Sequence, residues 1–417
     1  MKNTNITIII IIFITINQVF ASDTLKLMHY NVLRFGLNDA GCDQNNNDII
    51  SKTNYISTII NYVRPDILTI NEICDTFFYH TFFLYSVFNL NGFNNYLSGP
   101  VYGNYLTSQI FYNSQKIYLY KTEIIPTNIN QYTRQSYAYT FYYRSKSLVN
   151  KDTVFFKIIL THLRAGISYE NERAQQTSII MNYLENNNVD NYFVMGDMNI
   201  YSSTELAYQN YTNYSINSIS LIDPCLEGQW HNNEVFSLYH TQSTHLENHS
   251  CFSSGGLDDR FDFILYSKSI QNNMNKISYV PNSYKTIGQD GNHFKQSVNY
   301  ENNLSAPTNV INALFQNSDH LPVCLDIIIE QNPINISNIN NSNICFFING
   351  NKILTKLTTN NDWEMYKVSI YNLNGKCILK DADICNLSSI NINTKNEIII
   401  ITIKSENHSQ HIKYYIE

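Results

Sequence analysis

At 417 residues the chain has room for a full catalytic domain and a smaller companion, and its 43% hydrophobic and 13% aromatic content supports a large packed core. The formal net charge of −7 excludes a global electrostatic pull towards nucleic acid, so any polyanion site must be local or built around a metal. The abundance of Asn, Ile and Tyr reads as a codon-level bias rather than a functional signal.

Residues 1–21 read as a signal peptide. Lys2 precedes an apolar run over 6–16, and Val19 and Ala21 stand at the usual small-residue cleavage positions. The run is too short for a membrane span. The mature product is therefore expected to be secreted or at the cell surface, with no transmembrane segment after cleavage. In that setting the 8 cysteines can form disulfides. Cys225 and Cys251 bracket one loop, and Cys377 and Cys385 lie close together near the end, which gives two expected pairings.

In chain order, residues 25–32 read as a strand ending at Asn31. A helix follows whose apolar face is Ile56, Ile59, Ile60 and Val63, stopped by Arg64-Pro65. Residues 67–70 make a buried strand ending at Glu72. The Tyr- and Phe-rich region 77–143 reads as strands and loops. Residues 154–161 form an apolar strand that delivers His162. Ser168 is then the expected N-cap of a helix with Glu170 and Glu172 in its first turn and Ala174, Thr177, Met181 and Leu184 on its buried face. The stretch 192–199, Tyr-Phe-Val-Met-Gly-Asp-Met-Asn, is a buried strand that reaches a glycine and then presents Asp197 and Asn199. Residues two apart on an extended chain point to the same side. Residues 200–257 show little periodicity and read as a long, partly irregular loop. Arg260-Phe261-Asp262-Phe263 opens another strand, and Ser318-Asp319-His320-Leu321-Pro322-Val323 leads into the last apolar strand, 324–329.

The strand–helix–strand rhythm indicates an α/β layered fold over residues 22–330. Residues 331–343 read as a linker. Beyond them, 344–417 carry short strands, with Asn374-Gly375 as a type I′ turn between 368–371 and 377–379, and complete a small all-β module.

Hard divalent cations take oxygen ligands, one or two of them carboxylates. Glu72 and Asp319 are carboxylates at strand ends, and Asn31 and Asn199 add amide oxygens. His240, His245 and His249 lie in the irregular region with spacing that suits no helix face, so a zinc site there is disfavoured. His320 needs a partner to hold its tautomer, and Asp262 is the candidate. Asp262 alternatively pairs with its neighbour Arg260. His162 is either a functional imidazole or a hydrogen-bonded core histidine, and Arg164 holds either a loop or a phosphate.

The ordered series Tyr30-Asn31-Val32, Asn71-Glu72-Ile73, Thr161-His162-Leu163, Gly196-Asp197-Met198-Asn199, Arg260-Phe261-Asp262-Phe263 and Ser318-Asp319-His320-Leu321-Pro322-Val323 resembles the endonuclease/exonuclease/phosphatase superfamily, the DNase I-like fold. The resemblance covers residues 25–329. It implies a four-layered α/β (α+β) sandwich, two central sheets flanked by helices, with the site at one rim. It also implies Mg²⁺ or Mn²⁺ held by Glu72 with Asn31 and Asp319 nearby. Asp197 and Asn199 would position or deprotonate the attacking water, His320 paired with Asp262 would act as base or phosphoryl donor, and His162 would donate to the phosphate or leaving group. Arg164 would bind substrate, and Arg134, Arg144 and Lys295 are further cations expected around the site. The implied activity is phosphodiester hydrolysis, with nucleic acid as the favoured substrate. A sphingomyelinase- or phosphoinositide-type phosphoesterase and a non-catalytic surface binding protein remain the alternatives. Asn71 stands where the family commonly has Gln, and the likeness is greater to secreted bacterial members, in which a loop like 289–299 lies near the substrate. The tail, through 368–375 and the strands from 398, resembles the type A sorting domain of the type IX secretion system. That likeness implies the secretion machinery as a partner, with a generic adhesion or carbohydrate-binding sandwich as the alternative.

Overall fold

A computed structural model describes residues 22–90, 94–144, 154–187, 190–330, 344–349, 352–357, 366–372, 375–384, 389–391, 397–404 and 409–416. The expected signal peptide and linker lie outside the described residues. The chain divides into two compact units, Met1–Pro333 and Ile334–Glu417.

The first unit contains strands β1 (Ser22–Phe35), β2 (Ile67–Cys74), β3 (Tyr96–Ser98), β4 (Leu106–Asn113), β5 (Ile117–Ile125), β6 (Ser136–Tyr143), β7 (Phe155–His162), β8 (Tyr192–Asp197), β9 (Leu221–Ile222), β10 (Asp262–Ser267), β11 (Ile277–Tyr279), β12 (Lys285–Thr286) and β13 (Val323–Glu330). Its helices are α1 (Ile49–Val63), α2 (Phe77–Phe83), α3 (Glu170–Asn187), α4 (Leu206–Thr212), α5 (Lys268–Gln271) and α6 (Thr308–Asn317). One sheet runs β11-β13-β1-β2-β4-β3 with β12 beside β13, and the other runs β5-β6-β7-β8-β10-β9.

Apolar residues alternating along these strands account for the layering. Leu25, Leu27, Ile67, Val323 and Leu325 from one sheet meet Ile158, Leu160, Phe193, Met195 and Ile264 from the other in a shared core. The opposite face of the first sheet packs on Ile56, Ile59 and Ile60 of α1 and on Val310, Ile311 and Leu314 of α6. The opposite face of the second packs on Ile180, Met181 and Leu184 of α3 and on Ala207, Tyr208 and Tyr211 of α4. Helix, sheet, sheet and helix thus form the four expected layers. No helix among the described residues is long and apolar enough to cross a membrane.

Several local readings are corrected. Ser168 does not cap α3. It lies inside a 3₁₀ turn, Ile167–Tyr169, that runs directly into the helix. The region 77–143 also contains α2, and α4 and α6 are helices not expected from the sequence. Residues 200–257 are irregular in part, yet they bury Trp230 completely, its indole N–H donating to the Ile200 carbonyl oxygen at 2.8 Å. Cys251 pairs with Cys42, 209 residues away, and not with Cys225, which is a buried free thiol. Proximity in sequence was the wrong guide, because the loop after β1 folds back onto the 249–252 segment and packs Leu33 against Phe252. Cys377 is a free, exposed thiol and Cys385 lies outside the described residues.

The second unit contains β14 (Ile344–Asn349), β15 (Lys352–Leu357), β16 (Tyr366–Asn372), β17 (Cys377–Ile384), β18 (Ser389–Asn391), β19 (Glu397–Lys404) and β20 (Ser409–Ile416). They form two antiparallel sheets, β14-β15-β18 and β17-β16-β19-β20. Val368, Ile370, Ile399 and Ile401 are buried, one face of an alternating pattern. β16 and β17 pair as the expected hairpin, and Asn374 of its turn lies outside the described residues.

Candidate active site

Strand register brings the first three residues together. In the second sheet, His162 at the end of β7 stands beside Asp197 of parallel β8, and Asp197 stands beside Asp262 of antiparallel β10. The pairing is close enough that a Cβ on Gly196 would lie 2.0 Å from the Thr161 carbonyl oxygen, so only glycine fits before Asp197. In the first sheet, Asn31 of β1 stands beside Asn71 of β2. Contrary to the expected strand end, β2 continues past Glu72, and the register slips there through a bulge. Glu72 takes φ 66°, which turns its carboxylate out of the strand's alternation towards the rim.

The Asn31 side chain stitches the two sheets. Its Nδ2 donates to Asp197 Oδ2 at 3.0 Å and to Glu72 Oε1 at 3.2 Å, while the Arg34 backbone N–H donates to Glu72 Oε2 at 3.2 Å. Asn71 Oδ1 accepts from the Asp197 backbone N–H at 2.9 Å, and Asn199 Nδ2 donates to Asp197 Oδ1 at 2.8 Å. His162 Nε2 lies 3.4 Å from Asp197 Oδ2 and 4.0 Å from Glu72 Oε1. His320 Nδ1 is 2.7 Å from Asp262 Oδ2, leaving its Nε2 3.8 Å from Asp197 Oδ2. Of the residues expected to meet, Asn31, Glu72, His162, Asp197, Asn199, Asp262 and His320 form this one cluster.

Asp319 is turned away from it. Its Oδ2 accepts from the Ser253 backbone N–H at 3.0 Å and from Gln242 Nε2 at 3.3 Å, and its buried Oδ1 has no hydrogen-bond partner. Arg164 stacks its guanidinium on Tyr169 at 4.0 Å and Tyr132 at 5.1 Å, with Nε 3.7 Å from Glu172. Arg134 feels Glu72 and Asp197 as its foremost charged neighbours. Arg144 is not at the site. β6 runs antiparallel to β7, so the residue after Tyr143 lies at the opposite end of the sheet from His162, where Arg144 sits over Tyr118. Lys295 sits over Phe294. The loop 289–299 braces the 240–257 segment, through Gln289 Nε2 to the His240 carbonyl oxygen at 3.2 Å and the Val298 N–H to the Thr244 carbonyl oxygen at 3.0 Å. His240 is held by the Trp230 and Leu257 carbonyl oxygens and His245 stacks on Phe315, so these histidines serve packing. Gln242 is the residue that sequence reasoning missed, and its aperiodic surroundings contain no signal that would have singled it out.

Burial governs the electrostatics. It pushes the Asp197 carboxyl up to about 7, with His320 opposing and Asp262 adding to the rise. Burial also opposes charge on the Asp262–His320 pair, but their mutual attraction wins. Asp262 is held well below the usual carboxylate range and His320 well above the usual imidazole value. His162 is pushed well down by burial, then by the charges of Arg134 and His320.

Among the described residues, Glu72, His162 and Asp197 form a candidate metal cluster, their ligand atoms all within 4.8 Å of one another. Two converging carboxylates fit a hard divalent cation. His162 fits less well as a ligand. Its Nδ1 is buried without a partner, and an imidazole bound through Nε2 would have to carry its proton on that orphaned nitrogen. With the proton on Nε2 the ring donates towards the carboxylate rim instead. Beside the cluster lies a cleft of about 410 Å³ walled by Thr107, Ser108, Asn128, Gln131, Arg134 and Gln135. Ser108 connects it to the site, accepting from Asn71 Nδ2 at 2.7 Å. Two larger clefts, about 600 and 540 Å³, contain none of the site residues.

No family model matches the chain, and no curated protein matches it. Solved structures similar to it include an endonuclease/exonuclease/phosphatase family protein from Bacteroides thetaiotaomicron, 13% identical over 75% of this chain and 97% of that one, TM-score 0.47. They also include D. rerio TDP2 complexed with a single-strand DNA product, 14% identical over 73% and 98%, TM-score 0.47. A third is a mannosyl-6-phosphatase from Bacteroides thetaiotaomicron, 13% identical over 73% and 99%, TM-score 0.45.

Proposed function

We propose that this chain is a secreted, metal-dependent phosphodiester hydrolase acting on extracellular nucleic acid. The observation that carries the reading is the convergence, on one rim, of a carboxyl group poised near neutrality with two imidazoles of opposite character. Hydrolysis of a phosphodiester needs a base for water and donors for the phosphoryl and leaving oxygens. Asp197, pushed up to about 7, takes the water proton, and Asn199 holds it in place from Oδ1. His320, kept charged by Asp262, donates from Nε2 to a non-bridging oxygen, and His162 donates from Nε2 to the leaving oxygen. Mg²⁺ or Mn²⁺, held by Glu72 and Asp197, would supply charge neutralisation at the phosphate. Arg134 adds a fixed positive charge beside the same carboxylates.

For the substrate, the amide- and hydroxyl-walled cleft next to the cluster suits a polar group esterified to the phosphate better than an acyl chain. One observation favours the lipid alternative: Phe77 and Phe78, at the start of α2 just after β2, are 72% and 58% exposed. Hydrolysis of DNA, RNA, sphingomyelin and bis-p-nitrophenyl phosphate, each with Mg²⁺ and with EDTA, separates the readings. Cation-dependent cleavage of DNA or RNA is expected. Sphingomyelin cleavage without nuclease activity overturns the substrate assignment, and no cleavage of any phosphodiester overturns the catalytic one.

The second unit and residues 1–21 we assign to export, through the type IX secretion machinery and a cleaved signal. Deleting 334–417 is expected to leave hydrolysis intact and abolish surface delivery. Delivery of the truncated chain would refute this assignment.

A further inference from the structure

Gln242 belongs to the aperiodic segment, yet its position is set from both sides. Its backbone N–H donates to the Asp259 carbonyl oxygen at 3.0 Å, and the N–H groups of Asp258 and Asp259 donate to its own carbonyl oxygen at 3.0 Å. Preceding Thr241 accepts from the Leu321 N–H at 2.7 Å, which locks the segment to the strand that carries His320. The half-buried side chain is thereby aimed at the rim. Its Nε2 lies 2.7 Å from His320 Nε2 and 3.3 Å from Asp319 Oδ2. Asn31 Nδ2 stands 3.5 Å from the same ring nitrogen.

An imidazole has two nitrogens, and Asp262 occupies one of them. The second is the only ring atom left for a substrate, and the Gln242 carboxamide stands on it. A phosphoryl oxygen approaching His320 must enter between the two groups, and it then comes within reach of the Gln242 N–H as well as the imidazole. A brace for Asp319 alone would need no contact with His320.

Resting on the phosphodiesterase reading, we propose that Gln242 contacts the substrate. Its carboxamide N–H donates to the same non-bridging phosphoryl oxygen that His320 faces, forming a two-donor clamp on one oxygen.

The test uses the full chain with Mn²⁺ and the p-nitrophenyl ester of thymidine 5′-phosphate, together with its Rp and Sp phosphorothioates, in which one or the other non-bridging oxygen is sulfur. Gln242→Met keeps length and volume but has no N–H. It is expected to lower kcat by roughly 10- to 100-fold, with a smaller change in KM, and to collapse the wild-type ratio of Rp to Sp rates. Loss of a mere brace slows both diastereomers equally, so an unchanged ratio overturns the proposal. Should Gln242→Met not fold, Gln242→Asn, which withdraws the amide by one methylene, is read the same way: a changed ratio supports the clamp and an unchanged one refutes it. Wild-type protein inactive on all three esters would refute the underlying phosphodiesterase reading. Active wild type and inactive Asp197→Ala, beside an unchanged ratio in the Gln242 variant, would refute Gln242 alone.

Discussion

Two carboxylate–base pairs are buried two residues apart on one stretch of chain, and they differ in what each leaves over. Arg260 grips Asp223 with two nitrogens, each 2.7 Å from one carboxylate oxygen, and its guanidinium lies over Phe263 at 4.1 Å. Both side chains are fully buried, and the fork consumes both oxygens. Asp262 instead uses Oδ2 on His320 Nδ1, with His29 Nε2 3.4 Å from its Oδ1, and the imidazole keeps its second nitrogen for the rim. The first pair is closed on itself and holds the irregular 220s segment to the second sheet. The second transmits the burial of one carboxylate to a base that still has a hand free. Burial and charge are alike in both, so perturbed charge alone does not mark a catalytic group; the unspent valence does.

The comparison is broken most sharply on the open side. Asp197→Ala or His320→Ala is expected to lower phosphodiester hydrolysis by roughly two to four orders of magnitude while the melting temperature stays near wild type. Steady-state kinetics with thermal unfolding checks this, and retained activity would end the assignment of the rim. On the closed side the pattern should invert. Asp223→Ala leaves the Arg260 guanidinium buried without its carboxylate and should cost about 3–5 kcal/mol of stability, with activity per folded molecule preserved. Denaturant titration beside active-site titration tests it.

Asp262→Asn should keep the fold, because Thr241 Oγ1 still accepts from the residue 262 N–H at 3.2 Å. Loss of the orienting charge should slow hydrolysis by about 10- to 100-fold. A variant as slow in stability loss as Asp223→Ala but unchanged in rate would erase the distinction between the pairs.

The smallest effect concerns a third buried base, one with no ion-pair partner. Lys52 on α1 donates to the Asn317 carbonyl oxygen, and burial lowers its ammonium to about 7 against the pull of Asp319 and Glu72. Between pH 7 and its ordinary value near 10.5 the unfolded chain binds a proton that the folded chain does not, so wild-type stability gains with pH over that window. Lys52→Met should therefore stabilise by about 1–3 kcal/mol at pH 7 or below, with the gain shrinking towards pH 10. Unfolding free energies at pH 6, 7 and 9 measure it, and a gain independent of pH would mean that the ammonium is not penalised by burial.

Strand ends were legible in the sequence because burial imposes a local pattern. An apolar run that stops at Asn31, His162 or Asp197 says that the chain has reached a rim, and the Ser318-Asp319-His320 stretch says so again. The helix faces of α1 and α3 were legible for the same reason, whereas α6 and α4 were not, being short and set in aperiodic chain. The direction of Asp262 was open between Arg260 and His320. Both partners were within reach on paper, and only the placement of Asp223 against Arg260 decided it.

By itself, then, the sequence determined which residue types arrive at the rim, since period-two burial and strand termination are properties of a few consecutive residues. The tertiary structure decided which of them meet. His162, Asp197 and Asp262 are aligned by inter-strand register, Glu72 is re-aimed by a bulge, and Asn31 bridges two sheets. The Cys42–Cys251 pairing and the seat of Gln242 on His320 join segments 209 and 78 residues apart. Contacts of that range depend on how whole sheets pack, and no window of local periodicity contains that information.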